Sequence, residues 1–181
     1  VWLAEIWVPT LILIGDGDQP EIDDIAAVLE RDIVGHAGLS SPVPTEQISH
    51  TSAEPYGFAM YELFKHGAAK STPGDSITEG IGLGRVTPVI ETAKVDDAFL
   101  ISDEEAVTVI YELLEHEGLC LGGSTGVNIA GAIRLAEQLG PGKTIVTILA
   151  DSGNRYQSKL FNPAFMRSKN LPVPAWLEKR S

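Results

Sequence analysis

Residues Gly118–Gly140 read "GLCLGGSTGVNIAGAIRLAEQLG". A short apolar run leads into the pair Gly122–Gly123, the hydroxyls of Ser124 and Thr125, and then small residues at helical spacing. The pattern predicts a strand at Leu119–Leu121, a glycine turn, and a helix over Thr125–Leu139 capped by Ser124 or Thr125. Gly122 and Gly123 permit close backbone approach at the turn. Three readings of the turn stay open on physical grounds. A phosphate can rest on the N–H groups of the helix start. A hydroxyl can bond a heteroaromatic nitrogen. The bland reading is a capped helix with glycines for tight packing.

Working outward, Ser102–Gly118, "SDEEAVTVIYELLEHEG", reads as a helix with a capping box of Ser102 and Glu105 and a terminating glycine. Ala98–Ile101 and Thr144–Ala150 read as strands, and "DSGNRYQSKLF" as a loop entering a helix. Strands alternating with helices predict an α/β fold, a partial three-layer parallel sheet with helices on both faces. Ligands in such sheets bind at the carboxyl ends of strands. Further upstream, Tyr56–Gly67 reads as a short amphipathic helix and Ser71–Arg85 as a glycine-rich loop. Val8–Ile14, a turn with Asp16 and Asp18, and a helix from Pro20 form an extra N-terminal βα unit. Gly35–Glu54 has no periodicity and reads as an irregular junction. The expected organisation is therefore 1–34, a βα fragment; 35–54, the junction; and 55–181, the principal α/β body.

The 181 residues carry 25 acids against 13 Lys and Arg, a formal net charge of −12. Such a balance argues against nucleic acid and anionic membranes as partners. No apolar run reaches the roughly 18 residues of a membrane helix, and the first residues lack the basic start of a signal peptide. The single cysteine, Cys120, forms no internal disulfide, which points to a reducing cytoplasm. Its apolar strand setting predicts a buried, inert thiol.

Four stretches, "DSITEGIGLGRV" (75–86), "EHEGLCLGGSTGVNIAGAIRLA" (115–136), "TIVTILADSGNRYQSKLF" (144–161) and "FNPAFMRSKNLPVPAWL" (161–177), together resemble the C-terminal part of cysteine synthase (O-acetylserine sulfhydrylase) and cystathionine β-synthase. These are fold-type-II enzymes dependent on pyridoxal phosphate. The resemblance runs from about Glu54 to the end. It implies that Ser124 meets the pyridine nitrogen of pyridoxal 5'-phosphate and that Gly122 and Gly123 let the backbone approach the ring. It implies that Gly80 borders cofactor and substrate, and that Asp151, Ser152 and Tyr156 lie near the ring edge. A neutral hydroxyl at the ring nitrogen suits β-replacement on an amino-acid substrate such as O-acetylserine or serine. For Asp151, Ser152 and Tyr156 the bland alternatives are a turn aspartate, a capping serine and a core tyrosine.

The resemblance also implies parts that the chain lacks. The family's Schiff-base lysine sits in an S-x-K-D-R-like context, and none of Lys65, Lys70, Lys94, Lys143, Lys159, Lys169 and Lys179 does. Neither a T-S-G-N-T-like carboxylate loop nor a G-T-G-G-T phosphate loop is present. The expectation is a partial or chimeric cysteine-synthase-like protein, inactive alone and holding the cofactor poorly. It would associate, as a homodimer or otherwise, through the face left by the missing half. Residues 6–33 resemble a late strand and helix of an α/β-hydrolase, with Asp18 in the place of that family's triad acid. No G-x-S-x-G elbow accompanies it, and His36 and His50 read as solvated loop histidines. A non-enzymatic interaction module is the alternative.

Overall fold

A computed structural model describes residues 10–14, 49–79 and 81–178, with the backbone alone given for 10–14 and 89. Strand β1 is Thr10–Ile14, β2 is Thr51–Pro55, β3 is Asp97–Ile101 and β4 is Ile145–Leu149. Helix α1 is Met60–His66, α2 is Pro88–Thr92, α3 is Asp103–Glu112 and α4 is Gly123–Leu139. Two short C-terminal helices, α5 (Pro163–Ser168) and α6 (Ala175–Glu178), follow. The strands form two parallel pairs, β2 with β3 and β1 with β4. The α/β class with parallel pairing is as the alternating pattern predicts.

Helix α3 starts where its sequence says. The Ser102 hydroxyl accepts the Glu105 N–H at 3.2 Å, and Asp103, Glu104 and Glu105 crowd the positive end of the helix. The second half of the capping box does not form. The Glu105 carboxylate turns instead to Arg134 of α4, which grips it through two nitrogens at 2.8 and 2.7 Å and also donates to the Leu100 carbonyl. A planar guanidinium satisfies both carboxylate oxygens at once, which one backbone N–H cannot do. The helix widens into a π-turn over Leu113–Glu117 and stops at Gly118, whose φ of 71° is left-handed.

Helices α3 and α4 pack at unusually close range. A Cβ on Gly126 would stand 2.4 Å from the Ala106 carbonyl oxygen, so only glycine fits. On its other side α4 meets β2, where a Cβ on Gly131 would stand 2.5 Å from the Ala53 Cβ. One core cluster gathers Ile101, Ala106, Val109, Val127, Ile129, Ala130 and Leu149 around α4. A second packs Val107, Ile110 and Tyr111 of α3 against Leu160, Met166 and Leu177, tying the C-terminal segment down. The Tyr111 hydroxyl donates to the Leu160 carbonyl at 2.6 Å, and burial pushes its pKa up to about 12.

Several expectations need correction. Leu119–Leu121 is not a strand; only Leu121 forms an isolated antiparallel bridge, with Ser152. Three residues beside a π-turn and a helix start leave no length for a ladder. Cys120 is half-buried rather than buried, its sulfur 2.7 Å from where a Cβ on Gly153 would stand. The expected junction runs too far, because Thr51–Glu54 lie in β2, paired residue for residue with Asp97–Leu100. Polar Thr51, Ser52 and Glu54 hide the strand from a hydrophobic pattern. The helix expected over Tyr56–Gly67 is shorter, and α2 went unforeseen. The N-terminal strand exists and pairs with β4. The turn with Asp16 and Asp18, the helix from Pro20 and His36 lie outside the described residues.

Candidate functional site

The glycine turn meets Ala150–Tyr156 at the carboxyl end of β4. The Gly122 N–H donates to the Asp151 carbonyl, and the Gly153 N–H to the Cys120 carbonyl, each at 2.9 Å. These bonds hold residues 120–122 and 151–153 side by side. Gly122 is the N-cap of α4 and Ser124 the second helical residue. The expected side-chain cap does not form. Thr125, fully buried, spends its hydroxyl on the Ala150 N–H at 3.0 Å, locking helix to strand end. Ser124 is 5% exposed, and its hydroxyl has no hydrogen-bond partner among the described residues.

The structure brings Gly122, Gly123, Ser124, Asp151 and Tyr156 together. A Cβ on Gly122 would lie 2.6 Å from the Tyr156 ring and 2.9 Å from the Asp151 Cβ. The Tyr156 hydroxyl donates to Asp151 at 2.5 Å, and Arg155 stands 3.5 Å from the same carboxylate. Burial first, then the Asp151 carboxylate, push the Tyr156 pKa up to about 12. Tyr156 is thus a neutral donor throughout the physiological range, not a base. Ser152 is exposed and caps the short 3₁₀ turn Gly153–Tyr156 through the Asn154 N–H. This is the bland role weighed for it. Gly80 lies outside the described residues.

Thr78 is the neighbour that the sequence reading missed. It is 7% exposed, and its methyl would meet a Cβ on Gly123 at 3.1 Å. Its loop is anchored to α3: Asp103 accepts the Ile77 N–H at 2.8 Å and the Ser76 hydroxyl, which in turn accepts the Thr78 N–H at 3.0 Å. The glycine-rich composition signals a loop but not which helix holds it. The next residue, Glu79, pairs with Lys159. Among the described residues no group of His, Cys, Asp and Glu could hold a metal ion.

The buried Ser124 hydroxyl thus stands at a helix start, beside a glycine turn and the carboxyl end of β4. Residues 45–151 match the family of pyridoxal-phosphate dependent enzymes, and the chain belongs to it. It is 41% identical over 132 residues to cysteine synthase 1 of Emericella nidulans, covering 70% of this chain and 36% of that one. It is 37% identical over 158 residues to cysteine synthase 2 of Schizosaccharomyces pombe, covering 78% of this chain and 40% of that one. Among solved structures it is similar to an O-acetylserine dependent cystathionine β-synthase from Helicobacter pylori. The TM-score is 0.55 at 26% identity, covering 85% of this chain and 44% of the other. The chain thus spans less than half the length of these relatives. The α/β-hydrolase resemblance finds no support among them.

Among the described residues, the Ser124 hydroxyl has the chemistry to meet the pyridine nitrogen of pyridoxal phosphate. The Ser124 hydroxyl is free for a ring nitrogen. Lys159 is engaged with Glu79 and Lys65 with Asp97. Glycines 122 and 123 face Tyr156, Asp151 and Thr78 rather than open space. No step of chemistry follows from these residues alone. No helix among the described residues is long and apolar enough to cross a membrane.

Proposed function

We propose that these 181 residues are the pyridine-facing half of a cysteine-synthase-type enzyme, presenting Ser124 to the cofactor and unable to carry out β-replacement by themselves. The free, nearly buried Ser124 hydroxyl carries this reading. The cofactor, when bound in this family, supplies an electron sink to an amino-acid substrate. This chain's own residues orient it. Ser124 addresses the ring nitrogen, Thr125 fixes the helix start, and Thr78 and Tyr156 close the flanks of the glycine turn. The expected setting is a reducing cytoplasm, in keeping with the unpaired Cys120.

The energetics set the limit. One neutral hydrogen bond from Ser124 contributes about 0.5–1.5 kcal/mol net. Millimolar binding needs about 4 kcal/mol. The charge-assisted bonds of a phosphate loop, each roughly twice as strong as a neutral one, and the covalent lysine are what the sequence does not contain. The test is purified chain with pyridoxal phosphate, O-acetylserine and sulfide. The expected result is cysteine formation no faster than with the cofactor alone. Formation above that control, lost on Ser124→Ala, refutes the reading.

A further inference from the structure

The start of α4 lies under a loop that is held by α3. Gly126 is the first residue of α4 to close a helical bond, onto the Gly122 carbonyl at 3.3 Å. The N–H groups of Gly123, Ser124 and Thr125 come before it and have no partner inside the helix. No described residue accepts from them. Gly123 and Ser124 are nevertheless buried. Thr78 covers them. Its Cγ2, Oγ1 and Cβ are the atoms nearest to a Cβ on Gly123, at 3.1, 3.3 and 3.5 Å. Thr78 is 7% exposed, and its hydroxyl, like that of Ser124, has no hydrogen-bond partner among the described residues.

Asp103 keeps Thr78 in this place. One carboxylate oxygen accepts the Ile77 N–H at 2.8 Å, and the other accepts the Ser76 hydroxyl, which itself accepts the Thr78 N–H at 3.0 Å. The positive end of α3 accounts for an acid at this position, but not for one turned to the loop with both oxygens. The neighbouring loop residues have other holds. Ile77 packs against the second core cluster, and Glu79 pairs with Lys159. Loss of the Asp103 carboxylate should therefore shift Thr78 without freeing the whole loop.

We propose that Asp103 is the positioning residue of the site: it holds Thr78 over Gly123, and Thr78 keeps water from the Ser124 hydroxyl until a neutral acceptor takes it. A donor shielded from water gains more from a ligand acceptor than one that water already satisfies. The Asp151 carboxylate stands beside Gly122 and disfavours an anion there. A neutral ring nitrogen suits the place. The inference rests on the Ser124 reading given under Proposed function and names the residue that prepares it.

The test uses the full 181-residue chain, with amide hydrogen exchange and amide NMR as readouts. The probe is pyridine, titrated to about 200 mM at mildly alkaline pH, where its nitrogen is unprotonated. In the parent, shifts confined to Thr78, Gly123 and Ser124 are expected, and Ser124→Ala should abolish them. Asp103→Ala should speed exchange at Ile77, Thr78, Gly123 and Ser124 by about tenfold or more, as befits lost hydrogen bonds to a charged group, and weaken the pyridine shifts. Asp103→Asn keeps an oxygen for the Ile77 N–H and should restore both. Tyr111→Phe loses the bond to the Leu160 carbonyl, elsewhere on α3, and should leave both unchanged. If Asp103→Ala does not fold, Ser76→Ala removes one arm of the latch and is read in the same way. Unchanged exchange at Gly123 and Ser124 overturns the proposal, and so does an unchanged pyridine affinity. Tyr111→Phe acting as strongly as Asp103→Ala also overturns it, since any loss of stability would then suffice. A parent without a Ser124-dependent pyridine shift refutes the reading under Proposed function, whereas faster exchange at Gly123 and Ser124 in Asp103→Ala would still uphold the latch.

Discussion

Gly126→Ala probes the contact on which the site is mounted. The new methyl would sit 2.4 Å from the Ala106 carbonyl oxygen, 2.9 Å from its carbon and 2.9 Å from the Ile110 Cδ1. Two of these three atoms are backbone of α3, so no side-chain rotation relieves the clash and the helices must part. Overpacking of this kind costs about 1–3 kcal/mol, and a backbone obstacle puts it near the top of that range. Alanine recovers about 1 kcal/mol of helix propensity. The net loss is about 2 kcal/mol, or about 4–8 °C in Tm for a domain of this size. The assay is thermal unfolding followed by circular dichroism, with Gly84→Ala as control. Nothing lies within 4 Å of a Cβ on Gly84, so that change should stay within about 0.5 kcal/mol. A Gly126→Ala protein as stable as the parent would refute the close packing of α3 on α4.

Three further outcomes follow from particular groups. Burial raises the Glu54 pKa above 4.5, outweighing the hydrogen bond from Ser52, and one carboxylate oxygen has no partner. The fold then disfavours the charged form, so stability falls as pH rises through the window between 4.5 and the raised value. Glu54→Gln should lose less stability than the parent between about pH 4 and pH 8 in denaturant titrations, and an identical loss would contradict the burial. Thr125→Val leaves the half-buried Ala150 N–H without its acceptor and should cost about 1 kcal/mol in urea unfolding; a neutral change would remove Thr125 as the lock between α4 and β4. Cys120, half-buried against Gly153, should react with a thiol reagent more slowly than in the urea-unfolded chain yet without requiring global unfolding.

What the sequence discloses here is what local chemistry decides. Ser102 names the start of α3, Gly118 the end of the π-turn that follows it, and the β-branched run at 145–149 its strand, because each signal acts within a few residues. The candidate site was legible as far as Gly122, Gly123, Ser124, Asp151 and Tyr156, which the glycine turn and the loop after β4 bring together. Thr78 was not legible, since its place beside Gly123 depends on Asp103, a residue of a different helix. Strand β2 escaped for a related reason. Its register is set by β3, and its own residues, Thr51, Ser52, Ala53, Glu54 and Pro55, show no apolar alternation. The capping box failed halfway because Arg134, distant in sequence, outcompeted a backbone N–H for Glu105.

Equilibrium titration of the purified chain with pyridoxal phosphate tests the proposal that Ser124 offers the cofactor a single hydrogen bond. Bound cofactor is read by equilibrium dialysis. No saturable binding is expected up to about millimolar cofactor, with no difference between the parent and Ser124→Ala. Saturable binding of the parent, abolished in Ser124→Ala, would contradict it and show that other residues of these 181 supply the missing contacts.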